Sequence, residues 1–73
     1  MYTTEKVFKG ENVHGNDSLL LVSANGGSVE LAYGMPDGSF VVVCTIAEST
    51  AAVFDNRMDV KITPSGGAVY NVR

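Results

Sequence analysis

The chain has 73 residues, a length that limits it to one small domain. Its formal net charge is −3. Its five basic residues form no cluster, and this argues against nucleic-acid binding, which depends on a cationic surface. One cysteine and one histidine allow no internal disulfide and no Cys/His zinc site, and no apolar run approaches the ~20 residues of a membrane span. We therefore predict no cofactor and no metal, and neither nucleic acid nor membrane as a partner.

The N-terminal part predicts an arm or a weak edge strand over residues 1–9, followed by a single domain over residues 10–73. Val7 and Phe8 are the apolar centre of the first segment. Its polar start has no signal-peptide pattern, so we expect synthesis in a reducing cytoplasm. After a polar loop, residues 19–24 (LLLVSA) are apolar on both faces and predict a strand covered on both sides.

A β-hairpin over residues 25–45 is the strongest local signal. Apolar and polar residues alternate over residues 28–33, the period of a half-buried strand. The sequence MPDG at 35–38 has the Pro, Asp and Gly positions of a tight hairpin turn. The returning strand is apolar on both faces. Alternation assigns Phe40, Val42 and Cys44 to one face, and Val41 and Val43 to the other.

The C-terminal third predicts one short strand at residues 51–54 and then a second hairpin. Residues 58–63 alternate, with Met58, Val60 and Ile62 facing inward. PSGG at 64–67 predicts a turn, after which residues 68–73 return and pair with the preceding strand. Six or seven short strands between evenly spaced turns predict an all-β fold, a small antiparallel β-sandwich or barrel.

Two strands have an apolar face left over once each has given one face to the core. The second faces of the strands at 19–24 and 40–44 contact the N-terminal arm, another subunit or solvent. If they contact solvent, the valines are there only because β-branched residues favour the strand conformation. Contiguous exposed valines mark interfaces, and small domains without disulfides gain stability by association. We therefore predict a subunit or partner interface. Its candidate residues are Val7, Phe8, Leu20, Val22, Val41 and Val43.

No group of residues has the pattern of a catalytic site. His14 shares a polar loop with Glu11 and Asp17, but one imidazole is too few for a zinc site, and local turn hydrogen bonds explain such a loop. Cys44 lies in a valine-rich strand, where a free cysteine is expected to act as a small hydrophobe. We predict that the protein is not an enzyme, and a deep pocket joining His14 to an acid would overturn that.

Four segments between residues 25 and 72 follow one another in a recognisable order. They are GGSVEL at 26–31, PDGSF at 36–40, RMDVKI at 57–62 and GGAVY at 66–70. This order resembles that of short virion structural proteins of tailed bacteriophages. In those proteins a Gly-Gly-x-Val-x-Leu strand leads to a Pro-Asp-Gly hairpin, and an Arg-containing strand leads to a Gly-rich turn and a final Val-Tyr strand. The resemblance implies a small β-sandwich on the particle, either on the outer capsid surface as decoration or cement or in a head or tail fibre. It carries no functional residues over to this chain.

The function that the resemblance implies is a non-enzymatic virion protein, made in the host cytoplasm. We expect a capsid decoration or cement protein, a homo-oligomer bound to the major capsid or tail protein. Threefold capsid sites favour a trimer. The alternative is a free-standing binding module for a carbohydrate or a host protein. It needs exposed aromatics such as Tyr33 or Tyr70, whereas Tyr33, Phe40, Phe54 and Tyr70 at strand positions more often fill a core.

Overall fold

The protein is an all-β sandwich of two open sheets. The computed structural model describes residues 1–10 and 17–73. Seven strands lie in this part of the chain: β1 (Lys6–Phe8), β2 (Asp17–Ser23), β3 (Ser28–Gly34), β4 (Phe40–Ile46), β5 (Thr50–Asp55), β6 (Val60–Ser65) and β7 (Val69–Val72).

The strands form a four-stranded sheet in the order β1-β6-β3-β4 and a three-stranded sheet in the order β5-β2-β7. Every pairing between these strands is antiparallel. The predicted all-β class is confirmed, and because neither sheet closes on itself the fold is a sandwich rather than a barrel. No helix within residues 1–10 or 17–73 is long and apolar enough to cross a membrane.

The hairpin of β3 and β4 forms as the turn residues predict. The Gly38 N–H donates to the Met35 carbonyl at 3.0 Å, and the Met35 N–H donates to the Ser39 carbonyl at 2.7 Å. Gly38 has φ 89°, a conformation that residues with a side chain rarely adopt. The hydroxyl and the N–H of Ser39 both donate to Asp37, and these bonds lower the pKa of its carboxyl. The turn is therefore held by its own side chains.

The predicted second hairpin is wrong. β6 pairs with β1 and β3, whereas β7 pairs with β2 in the other sheet. The chain crosses between the sheets at Gly66 (φ 64°) and Gly67 (φ 90°). A Gly-rich turn can join two strands of one hairpin or connect one sheet to the other. Which of the two forms depends on how the following strand packs in the core. Gly27, in the link from β2 to β3, lies against Ser65 and Gly66 with no room for a side chain.

The core lies between the two sheets and is built from both. Its buried side chains come from β2, β3, β5, β6 and β7 and from the links beside them. They are Leu20, Val22, Ala24, Val29, Leu31, Phe54, Val60, Ile62, Ala68 and Tyr70. Val60 and Ile62 face inward as predicted, while Met58 is exposed.

The N-terminal segment closes one side of the sandwich. The N–H of Tyr2 donates to the Tyr70 carbonyl at 2.7 Å, and the N–H of Tyr70 donates back at 3.1 Å. A few residues later β1 pairs with β6 in the other sheet. The buried Tyr70 hydroxyl donates to the Thr4 carbonyl at 2.9 Å, and burial raises the pKa of Tyr70 to about 12. Residues 2–8 therefore connect both sheets along this side.

Candidate functional site

The most unusual surface of the molecule is β4, which is an edge strand of the four-stranded sheet. Its seven residues, FVVVCTI, include no charge and no proline. Val41 is 48% exposed, Val42 53% and Val43 48%. Edge strands have unpaired N–H and C=O groups on their free side, and soluble proteins usually protect them with charged residues, proline or a bulge. β4 has only the bulge, so its apolar edge is open to another strand.

The bulge decides which face each β4 side chain occupies. The register shifts between Leu31 and Ala32: Cys44 lies opposite Leu31, but Val42 lies opposite Ala32, which leaves Val43 as the extra residue. Residues directly opposite in a sheet share a face. Val42 and Cys44 are therefore on opposite faces, and the strict alternation predicted for this strand is wrong because of one inserted residue.

The core-side face of β4 extends beyond the sheet that should cover it. Ile46, Cys44 and Val41 lie opposite Val29, Leu31 and Tyr33 of β3. The Tyr33 hydroxyl, however, accepts a hydrogen bond of 3.0 Å from the N–H of Asp55, which places the end of β5 across from β3. Of the seven β4 side chains only Phe40 and Ile46 are half-buried, and of these two only Ile46 packs against the core. Val41 and Cys44 consequently remain exposed although they face the core side.

The neighbouring edge, β5, is also open and nearly uncharged. Its sequence TAAVFD has a single charge, at the last residue. Val53 is 63% exposed and pairs across the sheet with Leu19, which is exposed too. Leu21 and Ala51 are paired on the same face, so these four residues form an outer apolar patch on β2 and β5. The patch adjoins the β5 edge, so the apolar surface extends from one sheet to the other.

A polar cluster borders the outer apolar patch at one end. Asp17 lies directly opposite Asp55, and like charges in that position repel. Arg57 compensates through two bonds to the Asp55 carboxylate, Nε to Oδ1 at 3.0 Å and Nη2 to Oδ2 at 2.7 Å. The hydrogen bonds from Arg57 lower the pKa of Asp55 to about 2. The cluster gives the apolar surface a charged boundary.

The opposite side of the molecule has a shorter edge strand and is partly covered by the N-terminal segment. There β1 is only three residues long and begins with Lys6, and Tyr2 covers β7 by its bridge to Tyr70. A short strand and an edge lysine are ordinary protections of a sheet edge. One side of the sandwich is thus closed and charged, while the β4–β5 side, meaning the free edges of β4 and β5, is open and apolar.

The structure separates the predicted interface residues into three groups. Val41 and Val43 lie on the exposed β4 edge. Val7 is exposed on β1, at the far edge, and Phe8 is half-buried against Tyr2. Leu20 and Val22 are core residues, exposed by 0% and 6%, and this corrects their assignment to an interface. The N-terminal segment covers the far edge, so it does not protect Val41 and Val43.

Several apolar residues of the open edge and of the outer face were missed, and those on β4 could have been found. Val42 and Cys44 belong to the same open edge as Val41, and the uncharged run of β4 is the signal for all of them. Leu19 and Leu21 occupy the outer face that the sequence could not tell from the inner one, because both faces of β2 are apolar. Cys44, expected to act as a small hydrophobe, is exposed on the overhanging strand.

The chain was predicted to hold neither a metal site nor an acid–base pair at the polar loop. Residues 1–10 and 17–73 contain no group of three His, Cys, Asp or Glu side chains able to hold a metal ion. His14 and Glu11, of the predicted polar loop, lie outside the described residues. A cavity of about 170 Å³ at one end of the sandwich is mainly apolar, lined by Phe8, Lys9, Ser18, Phe54, Asn56, Met58, Val60 and Val72.

The fold and the β4–β5 side define a small β-sandwich with an unprotected, apolar pair of sheet edges. Comparisons with protein-family models, with curated proteins and with solved structures find no match to this chain. What the protein does is therefore inferred from its own sequence and geometry.

Proposed function

We propose that the protein is a non-enzymatic structural protein of a tailed-phage particle, a capsid decoration or cement protein. In this proposal it binds as a homo-oligomer, by preference a trimer, to the major capsid or tail protein. The order of its turn and strand segments supports the phage class by resemblance. The observation that carries the binding mechanism is β4, an uncharged edge strand with three half-exposed valines.

Binding through such an edge has two physical components. The free N–H and C=O groups pair with another strand, and the apolar side chains leave water. Full burial of a valine is worth about 1.5–3 kcal/mol, so the exposed halves of three valines contribute roughly 3 kcal/mol. Association costs at least about 4 kcal/mol in lost freedom of motion. A single edge contact, such as one that joins two copies, is therefore weak, and the joining of copies into an oligomer on a symmetric shell makes the attachment firm.

The alternative, a free-standing binding module for a carbohydrate or a host protein, is not favoured by the two tyrosines on which it depends. Tyr70 is completely buried, and the half-buried Tyr33 directs its hydroxyl to the Asp55 N–H. Phe40 lies opposite Gly34 on the outer face, but the Lys61 ammonium lies 4.8 Å from the centre of its ring. A sugar ring needs a free aromatic face, so no observation favours this function.

The proposal is tested by adding the purified protein to particles of the encoding phage from which its gene has been deleted. We expect saturable binding, with a copy number that matches symmetry-related capsid sites. A Val41→Lys variant should bind at least about tenfold more weakly, because a charge enters the edge and the valine contact is lost. Val7→Lys is the matched control, since Val7 is an equally exposed valine (45%) on the opposite edge strand. Absence of saturable binding by the wild type would refute the proposed function.

A further inference from the structure

We propose that a second copy of this chain covers the β4–β5 side, with the free edge of β4 in one copy paired to the free edge of β5 in the next. The copies are related by an axis parallel to the strands. This inference rests on the oligomeric part of the proposed function and names the contact that forms the oligomer.

The chemistry of the two edges favours a partner with the same character. Residues 40–46 and 50–54 contain no charged side chain. A partner edge with lysine or glutamate would have to bury that charge against valines, which is costly without a counter-charge. The free edge of β4 has unpaired backbone groups and apolar side chains that can pair with those of the free edge of β5. A copy of the chain satisfies both edges.

The strand directions make this pairing antiparallel, like every other pairing in the molecule. β4 ends at Ile46 and β5 begins at Thr50, with only three residues between them. A link this short reverses the chain, so the two strands run in opposite directions. Rotation about an axis parallel to the strands keeps the direction of each strand. β4 of one copy therefore meets β5 of the next in antiparallel orientation.

The overhang of β4 selects this contact over a pairing of β4 with itself. If two β4 edges met, the recessed β5 edges would remain apart by two strand widths, about 10 Å, and stay unpaired. When β4 meets β5 of the next copy, the projecting strand fills the recess and both open edges are used. The core-side residues Val41 and Cys44 of each overhanging strand then face those of the next copy across the ~10 Å between the two sheet layers and are removed from water, at a distance too long for a Cys44–Cys44 disulfide.

Disulfide trapping tests the contact directly, because Cys44 is exposed on β4 and is the only cysteine. Thr50 and Ala52 share its core-side face on β5, since they lie opposite the buried Val22 and Leu20. A Cys44→Ser protein carrying Thr50→Cys or Ala52→Cys is mixed with the wild type under mild oxidation. Cysteines bridge only when their Cα atoms are within about 7 Å, so the products report the neighbouring strands.

The expected result is a mixed disulfide between the wild type and one of the β5 variants, each protein alone giving little product. With both cysteines in one chain, most of the protein should shift to a closed covalent ring on non-reducing gels. Wild-type homodimers as the main product, or a monomeric native mass at micromolar concentration, would overturn the inference. A ring without particle binding would refute the proposed function alone, and particle binding by a monomer would refute only the β4–β5 contact.

Discussion

Tyr70 joins the N-terminal segment to the core, and replacing it with phenylalanine tests how that side of the sandwich is closed. The ring is fully buried and its hydroxyl donates to the Thr4 carbonyl at 2.9 Å. Tyr70→Phe keeps the ring packing and removes only the hydroxyl. A typical net hydrogen bond is worth about 1 kcal/mol, and Thr4 is exposed, so water replaces part of the loss. We expect the free energy of unfolding at pH 7 to fall by about 0.5–1 kcal/mol.

At high pH the effect of the same substitution should change sign. Burial raises the pKa of Tyr70 from 10.0 to about 12, because the phenolate is poorly solvated there. A raised pKa in the folded state stabilises the protein fully below pH 10, and this contribution is lost as the pH rises toward 12. Two pKa units correspond to roughly 2.7 kcal/mol. The wild type should therefore lose its advantage of about 0.5–1 kcal/mol at about pH 10.5 and be less stable than the variant at higher pH.

The measurement is urea unfolding followed by circular dichroism, at several pH values between 7 and 11.5, with both proteins under identical conditions. Other groups titrate in this range in both proteins, so only the difference between the two stabilities is interpreted. If the two curves stay parallel to pH 11.5, Tyr70 does not titrate from a buried site and this account of the closed side is wrong. Limited proteolysis near residues 1–5 should also be faster in the variant, as the segment loses one of its attachments.

Three further predictions follow from the turns, the polar cluster and the open edge. Gly27→Ala should lower the free energy of unfolding by about 1–3 kcal/mol or more, because the new methyl group meets the backbone of Ser65. Gly26→Ala is the control: Gly26 has φ 83° but open space around it, so this substitution should cost about 1 kcal/mol. Equal losses in urea unfolding would contradict this prediction. The pKa of the Asp55 carboxyl is lowered from 3.8 to about 2, so its charge stabilises the fold above pH 4 and this effect is lost as the pH falls toward 2. The melting temperature of Asp55→Asn should therefore decrease less than that of the wild type between pH 4 and pH 2. Val41→Lys should shift the native mass by sedimentation from oligomer to monomer at unchanged far-ultraviolet circular dichroism, and an oligomer of wild-type mass would contradict the role given to β4.

Local sequence chemistry located the strands because turns and alternation are short-range properties. The MPDG turn predicted the β3–β4 hairpin, and its hydrogen bonds and the positive φ of Gly38 agree. Alternation likewise placed Val60 and Ile62 in the core. A proline, an aspartate and a glycine in sequence restrict the backbone whatever the rest of the chain does.

The pairing of distant strands could not be predicted in the same way. The PSGG turn was expected to return the chain beside β6, but β7 lies in the other sheet next to β2. Both outcomes use the same turn residues, and the choice depends on which apolar faces must meet across the core. For β2 both faces are apolar, so alternation cannot say that Leu20 and Val22 are buried while Leu19 is exposed.

The candidate site shows the same division between sequence and structure. The sequence by itself predicted that residues 40–44 form an uncharged apolar strand with more apolar surface than one core can use. Only the tertiary structure decided that this strand lies at an edge, that a bulge at Val43 turns Val42 and Cys44 to opposite faces, and that β4 extends beyond β5. The physical reason is that strand formation depends on neighbouring residues, whereas the position of a strand in a sheet depends on contacts between segments far apart in the chain.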